Sequence, residues 1–391
     1  MSLHLFAVTA PGLESFTQGE LAALGLESRP PQSVSLSGEL HDEAGGVEFD
    51  AGLSSLYCAN LQLRTANRIL ARLGEFNAGG FDELRKKAAH LPWEQYLRPG
   101  QPVALRVNCR KSRLYHSDAV AREVVKAISS RLGTPTPKVP GASPLVKFDS
   151  ASPPPQLVVV RLVQDLCTLS LDTSGELLHR RGYRLETAKA PLRETLAAGL
   201  LLAAGWDAVS PLLDPFCGSG TIAIEAAMLA RRIPPGKNRR FAFMDWPGYD
   251  PSLWQAVLSQ AVQAEISSPA PIQASDRDAG AIRIAQANAG RAGLLECIQF
   301  SCRSFSAIQP PPGPGWVVTN PPYGVRVSPA HDLRNLYTHL GDVLRALCPG
   351  WRTGILCSSD FLAGHTRLHF DRSIPLVNGG IAAKFYTGYV K

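Results

Sequence analysis

The residues best suited to chemistry lie in a glycine-rich turn between an apolar segment and a helix. An apolar run ends at Asp214, Gly218 and Gly220 follow, and a helix is predicted over 222–232. Such a turn brings main-chain N–H groups and the positive end of a helix close to a ligand, and glycine is needed where a Cβ would block the approach. Taken alone, the spacing Gly218-x-Gly220-x-x-Ala223 also fits the dinucleotide-binding fingerprint.

An acidic residue at the end of a second strand helps to distinguish the possible cofactors. Asp245 lies near the distance expected in a dinucleotide-binding fold, about 20 residues past the glycines, but no useful strand precedes it. Residues 271–278 form a better strand, and a helix predicted over 279–289 follows directly. Asp276 is then placed to accept hydrogen bonds from two ribose hydroxyls. The alternative is that Asp276 and Asp278 only cap this helix.

A third feature is the loop Asn320-Pro321-Pro322-Tyr323, which follows a short apolar strand at 315–319. The Asn320 amide oxygen and the Pro321 carbonyl can both accept hydrogen bonds from the amine of a flat base, and the Tyr323 ring can stack on that base. Two fixed acceptors favour the pyramidal, positively charged amine that forms during attack. An isolated Asn-Pro-Pro is often only a turn, but with the glycine turn and Asp276 it favours an amine-binding site.

The charge of the chain is unevenly distributed. Residues 1–60 hold 1 Lys or Arg against 8 Asp or Glu, whereas residues 61–190 hold 21 against 11, a net charge of +10. Such a basic region attracts phosphate backbones through counterion release, so nucleic acid is the leading partner, and a solvated basic face is the alternative. The densest part is a loop at 109–116, which contains Arg110, Lys111 and Arg113.

Length and composition exclude several classes of protein. The 391 residues are 45% hydrophobic and 19% charged, which is typical of a globular chain of two or three domains and not of a disordered or fibrous one. No signal peptide and no apolar run of the roughly 18 residues that a membrane span needs are recognisable. Eight cysteines are scattered without metal-ligand spacing, so we expect a cytoplasmic protein with reduced cysteines and no metal.

Periodicity predicts a small α+β unit at the start of the chain. Its expected elements are a strand at 3–9, a helix at 13–24, strands near Val34 and Val47, and a helix over 53–73 that Gly74 ends.

A second α+β unit is predicted after this first one. It has helices at 81–89 and at 118–132, the latter capped by Ser117, with strands at 102–108, 157–162 and 166–171. From about residue 180, strands alternate with helices, the first of them a helix over 191–204, which indicates a parallel sheet covered on both faces.

Together these motifs resemble a known family, the class I S-adenosylmethionine-dependent N-methyltransferases with an Asn-Pro-Pro-Tyr motif. The resemblance is narrower to bacterial THUMP-containing RNA guanine-N2 methyltransferases, which act on ribosomal or transfer RNA. The segments that carry it are residues 91–94, 117–119, 180–184, 190–197, 214–221, 235–243, 275–276 and 319–326.

The resemblance implies an architecture. It places a ferredoxin-like domain at 1–65, a THUMP RNA-binding domain at 66–175 and a methyltransferase domain at 176–391. The first two would be α+β domains, and the third would be a Rossmann-like α/β domain with a seven-stranded, mostly parallel sheet.

It also implies the roles of individual residues. The target base is expected to meet Asn320, Pro321, Pro322 and Tyr323. On the charge of the basic segment, RNA is expected to meet Arg110, Lys111 and Arg113, and Lys237 and Arg239 are also predicted to meet it. S-adenosylmethionine is expected to meet Pro191, Leu192, Thr195, Asp214, Phe216, Gly218, Gly220, Thr221, Asp276, Ser304 and Asn320.

One position departs from the family pattern. An Asp usually follows the third strand and contacts the adenine amine of the cofactor, whereas Ser304 stands there in this chain. A serine hydroxyl makes a weaker hydrogen bond than a carboxylate. Either the cofactor binds less tightly, or main-chain and apolar contacts hold the adenine.

The expected function is therefore methylation of a guanosine N2 amine in RNA, ribosomal more than transfer RNA, without a metal or an obligate protein partner. One alternative is adenine-N6 methylation of DNA or RNA, because Asn-Pro-Pro-Tyr is shared with those enzymes. Another is a non-catalytic RNA-binding protein with a relic methyltransferase scaffold. Asp214, Gly218, Gly220 and Asn320 are intact, which argues against a relic scaffold. The absence of the usual Asp at Ser304 favours one.

Overall fold

A computed structural model describes residues 2–30, 45–139, 154–185, 192–267, 270–323 and 330–391 of the chain. The described residues form two sheets, each with its own hydrophobic core. The predicted strand near Val34 and most of the proline-rich stretch after residue 133 lie outside these ranges.

The first sheet is built by the N-terminal half of the chain. Its strands are β1 (Leu3–Thr9), β2 (Ser28–Arg29), β3 (Gly46–Ala51), β4 (Ala66–Asn77), β5 (Val103–Arg110), β6 (Lys138–Val139), β7 (Gln156–Val163) and β8 (Leu166–Asp172). Their spatial order is β2-β3-β1-β4-β8-β7-β5-β6. The long strand β4 pairs with β1 on one side and β8 on the other, so the first two predicted units share one continuous sheet. The helices of this half are α1 (Glu14–Ala23), α2 (Leu53–Gln62), α3 (Phe81–Ala89) and α4 (Ser117–Leu132).

The second sheet is the expected Rossmann-like one. Its strands are β9 (Leu212–Asp214), β10 (Ile272–Asp276), β11 (Ile298–Cys302), β12 (Trp316–Thr319), β13 (Arg352–Cys357), β14 (His369–Asn378) and β15 (Ile381–Tyr389). Their order is β11-β10-β9-β12-β13-β15-β14; the first five run parallel, and the β14–β15 hairpin is antiparallel. The helices are α5 (Glu194–Ala203), α6 (Thr221–Ala230), α7 (Pro251–Gln263), α8 (Ala279–Arg291), α9 (Ala330–Leu347) and α10 (Asp360–His365).

The helix predicted over 53–73 is wrong in its second half. Helix α2 ends at Gln62, and β4 begins at Ala66. The apolar side chains in this segment fit either period, and pairing with β1 and β8 decides in favour of a strand, with Ile69 and Ala71 buried between the two neighbours. The predicted cap at Ser117 is also wrong, because α4 already includes Ser117 and no side-chain hydrogen bond caps the helix.

Each half of the chain contributes side chains to the hydrophobic core of the other. The Tyr57 ring on α2 stacks on Phe243, with ring centroids 4.5 Å apart, and Trp254 on α7 meets Tyr57 edge-on at 6.1 Å. In the other direction, Leu13 belongs to the core of the second sheet and packs so closely on Gly199 of α5 that a Cβ there would lie 2.5 Å from it. Tight contacts of this kind hold the two sheets at a fixed relative position.

A buried ion pair and its hydrogen bonds also link the two halves of the chain. The Arg181 guanidinium lies 3.4 Å from the Glu225 carboxylate on α6 and also donates to the main-chain oxygen of Arg64 at 2.6 Å. The Tyr183 hydroxyl donates to the same carboxylate at 3.1 Å, while Arg64 donates to the main-chain oxygen of Ile233 at 2.8 Å. Burial raises the pKa of Tyr183 well above its usual value. The Glu225 carboxylate is therefore paired with Arg181, whereas the Arg64 guanidinium is held by a main-chain carbonyl.

We predict that Glu225→Ala destabilises the whole chain. It leaves the Arg181 guanidinium buried without a counter-charge, which costs about 3–5 kcal/mol in free energy of unfolding. Urea unfolding measures the loss. The exposed substitution Glu296→Ala is the control and should change stability by less than about 0.5 kcal/mol. Equal midpoints for Glu225→Ala and the wild type would show that the network contributes nothing to stability.

Candidate functional site

The glycine turn lies at the carboxyl edge of the second sheet, as its sequence predicts. Strand β9 ends at Asp214, and α6 begins at Thr221 directly after Gly220. Gly218 and Gly220 have φ angles of +51° and +82°, in the left-handed region that favours glycine. None of the described atoms lies within 4 Å of the position that a Gly218 Cβ would occupy. The turn therefore leaves room for close approach of a ligand to its main chain.

Asp276, at the end of the neighbouring strand β10, is hydrogen-bonded to the glycine turn. One carboxylate oxygen accepts from the Gly218 N–H at 3.0 Å, and the other accepts from the Asp278 N–H at 3.0 Å. Asp278 caps α8 by accepting from the N–H groups of Gly280 and Ala281. The capping interpretation thus holds for Asp278 but not for Asp276. A carboxylate has about four acceptor positions, so Asp276 retains capacity for further donors.

Asp214 links this turn to the Asn-Pro-Pro-Tyr loop. Its carboxylate is buried, accepts from the Thr319 hydroxyl at 2.6 Å and from the Phe216 N–H at 3.2 Å. Burial raises the pKa of Asp214 to about 7, with a smaller contribution from the negative charge of Asp276. Because Thr319 immediately precedes Asn320, the two predicted sites are neighbours at one edge of the sheet.

Asn320 carries an unusual acceptor. Its amide oxygen is buried, yet it has no hydrogen-bond partner among the described residues. Leaving a buried polar atom unpaired costs roughly 1–3 kcal/mol, so such an atom calls for a donor from outside. The two prolines that follow have no N–H to offer.

Tyr323 is placed differently from the other loop residues. Its side chain belongs to the core and is 9% exposed, and its hydroxyl accepts from the Asn378 amide at 2.8 Å. Burial also raises the pKa of the Tyr323 phenol. In this conformation the ring fixes the loop against β14 and is not open for stacking on a base.

The helix expected to close over the cofactor is α5. Leu192 is buried just before it, and the Thr195 hydroxyl donates to the Asn67 amide oxygen of β4 at 2.8 Å. Pro191 lies outside the described residues. Thr221, at the start of α6, is buried with its hydroxyl 3.4 Å from that of Ser219. The roles of these residues toward a cofactor stay predictions.

Just beyond β11 lie Ser304, which was predicted to meet the cofactor, and Phe305, which sequence reasoning missed. Ser304 is exposed, and its hydroxyl lies 3.0 Å from that of Ser306. The next residue, Phe305, packs its ring on Phe216, with centroids 5.1 Å apart and planes 31° from parallel. The signal available in the sequence was an aromatic residue next to the position where the family carries Asp.

The basic loop projects from the first sheet. Arg110 ends β5, and Lys111 and Arg113 follow in a turn held by Asp165, whose carboxylate accepts from the Arg113 N–H at 2.7 Å. Tyr115 is 69% exposed. Its ring lies 4.1 Å from that of His116. The loop therefore presents cationic and aromatic groups together, a combination that single-stranded nucleic-acid sites use.

Arg239, one of the residues predicted to meet RNA, has its guanidinium hydrogen-bonded within the chain. Its guanidinium donates to four main-chain oxygens, those of Ser174, Glu176, Leu177 and Arg180. Burial lowers the pKa of Arg239 to about 10, and the group lies 5.3 Å from the centre of the Phe241 ring. Lys237 is partly exposed but pairs with Glu265 at 2.7 Å.

The part of the chain that the structure describes has neither a membrane-spanning helix nor a metal-binding cluster. There, no helix is long and apolar enough to span a membrane. Within the same ranges, no group of three or more His, Cys, Asp or Glu side chains is arranged to hold a metal ion.

Three family models match the chain, in the order expected. An RlmL ferredoxin-like domain matches residues 4–70, a THUMP domain matches 78–172, and an RMKL-like methyltransferase domain matches 181–385. The three kinds of domain inferred from the motifs are thus confirmed.

Curated relatives and a solved structure agree with these models. "Putative RNA methyltransferase slr0064" of Synechocystis is 33% identical, over 96% of this chain and 94% of its own length. "Ribosomal RNA large subunit methyltransferase K/L" of Methylococcus capsulatus is 34% identical over 99% of this chain but 51% of its own length. The chain thus spans about half the length of the K/L relatives it matches.

A crystal structure described as "SMU.472, a putative methyltransferase complexed with SAH" superposes with a TM-score of 0.85 at 29% identity, covering 100% of this chain and 98% of that one. An RMKL-like domain over more than half of the chain, a relative matched almost end to end, and a shared fold lead to one conclusion. The chain belongs to the family of RMKL-like methyltransferases with RlmL ferredoxin-like and THUMP domains.

Proposed function

We propose that this protein is an S-adenosylmethionine-dependent methyltransferase that modifies the N2 amine of a guanosine in RNA. The observation that carries the proposal is the buried, unpaired amide oxygen of Asn320, next to the Asp214 and Gly218 turn. An amine donor completes the hydrogen bonding of that oxygen. Ribosomal RNA is the proposed substrate class because the K/L relatives are named for it.

The residues at the sheet edge fit the proposed cofactor. Gly218 leaves open space beside its main chain, Asp276 has acceptor capacity for ribose hydroxyls, and Asp214 offers a carboxylate to an ammonium group. S-adenosylmethionine supplies a methyl group on a positively charged sulfur. The chain's part is to hold both reactants in line, which by itself accounts for much of the acceleration in such reactions.

The target amine must be activated by its surroundings, because its lone pair is delocalised into the purine ring. The Asn320 amide oxygen and the Pro321 carbonyl accept from this amine and favour its pyramidal form. As attack proceeds the nitrogen becomes positive, so both hydrogen bonds strengthen in the transition state. A paired guanine cannot present its amine in this way, so the target is unpaired or flipped out of its helix.

Deleting and re-expressing the gene, with mass spectrometry of nucleosides from ribosomal and transfer RNA, tests the proposal. Loss and recovery of N2-methylguanosine in ribosomal RNA supports it. The same behaviour of N6-methyladenosine would favour the alternative reaction on adenine, which uses the same amine chemistry. No change in any methylated nucleoside, together with no cofactor binding at millimolar concentration, would leave a non-catalytic RNA-binding protein.

Asp276→Ala tests the cofactor contact. The change removes a charged acceptor for ribose hydroxyls and also the partner of the Gly218 N–H, so we expect a loss of about 1.5–3 kcal/mol in binding, on the order of tenfold to a hundredfold in Kd. Isothermal titration calorimetry with S-adenosylmethionine measures it. The matched control is Asp278→Ala, which costs about 1 kcal/mol of helix capping but leaves Kd unchanged. The opposite pattern would assign the ribose contact to Asp278.

Asn320→Ala tests the amine contact. Removing the amide oxygen deletes one acceptor that matters most in the transition state, so turnover should fall by roughly 10²-fold or more. Cofactor affinity should stay nearly constant, because Asn320 is proposed to act on the base. Single-turnover methylation of RNA and calorimetry with the cofactor separate the two effects. Turnover within a few-fold of the wild type would reduce Asn320 to a turn residue.

The basic loop is tested by neutralising Arg110, Lys111 and Arg113 together to Gln. RNA affinity should fall about equally for all sequences, and the slope of log affinity against log salt should flatten by up to about two, since each phosphate contact contributes roughly 0.7–0.9. Binding titrations at several salt concentrations measure this.

A charge-matched control neutralises the exposed Arg232, Arg283 and Lys391 in the catalytic half. It should leave the slope unchanged if the loop itself contacts phosphates. Equal flattening by both triple variants would indicate an effect of net charge alone, and an unchanged slope in the loop variant would exclude the loop from the RNA-binding surface.

A further inference from the structure

The sheet edge beside Asp276 offers no carboxylate where a cofactor's adenine amine is expected. Residues 298–309 contain no Asp or Glu, and Ser304 holds the expected position. The Ser304 hydroxyl is already used locally, since it accepts from the Ser306 N–H at 3.4 Å and lies 3.0 Å from the Ser306 hydroxyl. Of the nearest acids earlier in the chain, Glu296 precedes β11 at the amino end of that strand, and Asp278 caps α8. On this edge, therefore, none of the described residues offers a charged acceptor to the adenine amine.

Two phenylalanine rings occupy the same edge. Phe216 follows β9 and Phe305 follows β11, so their strands flank β10, which ends at Asp276. The two rings touch each other at 5.1 Å between centroids, and Phe305 also meets the His339 ring in an edge-on contact at 5.2 Å. Both phenylalanines are packed against the core yet only partly buried. Together they form an aromatic surface beside the carboxylate proposed to hold the ribose.

We infer that Phe216 and Phe305 bind the adenine of the cofactor through contact with its ring, and that its exocyclic amine contributes little to affinity. The inference rests on the cofactor named in the proposed function. Aromatic rings bind the face of any purine, whereas a site built around a hydrogen-bond acceptor strongly rejects an analogue that lacks the donor. This chain should therefore tolerate a cofactor whose purine has no 6-amine.

Calorimetry with two ligands tests the inference without any methylation assay. The first is S-adenosylhomocysteine, and the second is its 6-deamino analogue, in which purine replaces adenine and every other acceptor is kept. The wild type should bind the two within about threefold of each other, because no charged partner is lost. Ser304→Asp should restore the family's acceptor and raise the preference for S-adenosylhomocysteine to roughly tenfold or more.

Substitution of the aromatic residue gives the complementary result. Phe305→Ala should weaken both ligands by roughly tenfold, leaving their ratio unchanged, as loss of a stacking partner does. Phe305→Leu fills most of the same volume and guards against misfolding. It should retain the fold, shown by an unchanged melting temperature, and still lose several-fold in affinity for both ligands.

The outcomes separate this inference from the proposed function. A wild-type preference of tenfold or more for S-adenosylhomocysteine would overturn the inference while leaving the proposed cofactor intact. Unchanged affinity in a folded Phe305→Leu and Phe305→Ala would overturn it as well. Failure of the wild type to bind either ligand at millimolar concentration would instead contradict the proposed function, and this inference with it.

Discussion

The candidate site depends on one hydrogen bond between adjacent parallel strands. The Thr319 hydroxyl at the end of β12 donates to the buried Asp214 carboxylate at the end of β9. Asp214 leads into the glycine turn and Thr319 leads into Asn320, so this bond sets the distance between the proposed cofactor site and the proposed base site. Direct transfer between two bound molecules requires their reacting atoms to be aligned within a few tenths of an ångström. Rigid strands held by a buried polar contact provide such alignment better than flexible loops.

The N-terminal half of the chain takes part in this arrangement. Strand β4 belongs to the sheet that carries the basic loop, and its Asn67 accepts a hydrogen bond from Thr195 on the helix next to the glycine turn. Arg64, three residues earlier in the chain, donates to the main-chain oxygen of Ile233, just after the end of α6. Because these buried polar groups lose their partners if the units shift, such links favour one relative position of the two units. An RNA held by the basic loop, as proposed, would therefore meet the candidate site in a fixed register.

Sequence reasoning succeeded where the signals are local. The segments that position Asp214, Asp276 and Asn320 are apolar runs bounded by glycine, proline or a capping acid, and each folds as predicted. It failed where distant segments decide. Residues 66–73, predicted as helix, become a strand because β1 and β8 pair with them, and the carbonyl groups that accept from Arg239 come from residues 174–180. The unpaired oxygen of Asn320 is likewise a property of packing and has no sequence signature.

The ionisation of Asp214 connects stability with ligand binding. Its pKa is raised from an ordinary value near 3.8 to about 7, chiefly by burial. The folded state then binds a proton more tightly than the unfolded state, so this group stabilises the fold fully below pH 4, and the benefit is lost as the pH rises through 7. Above that pH the ionised carboxylate is a buried charge without a cation near it among the described residues. An ammonium group bound beside it, such as the one in the amino-acid part of the proposed cofactor, would offset that cost, so burial of Asp214 favours the binding of a cation.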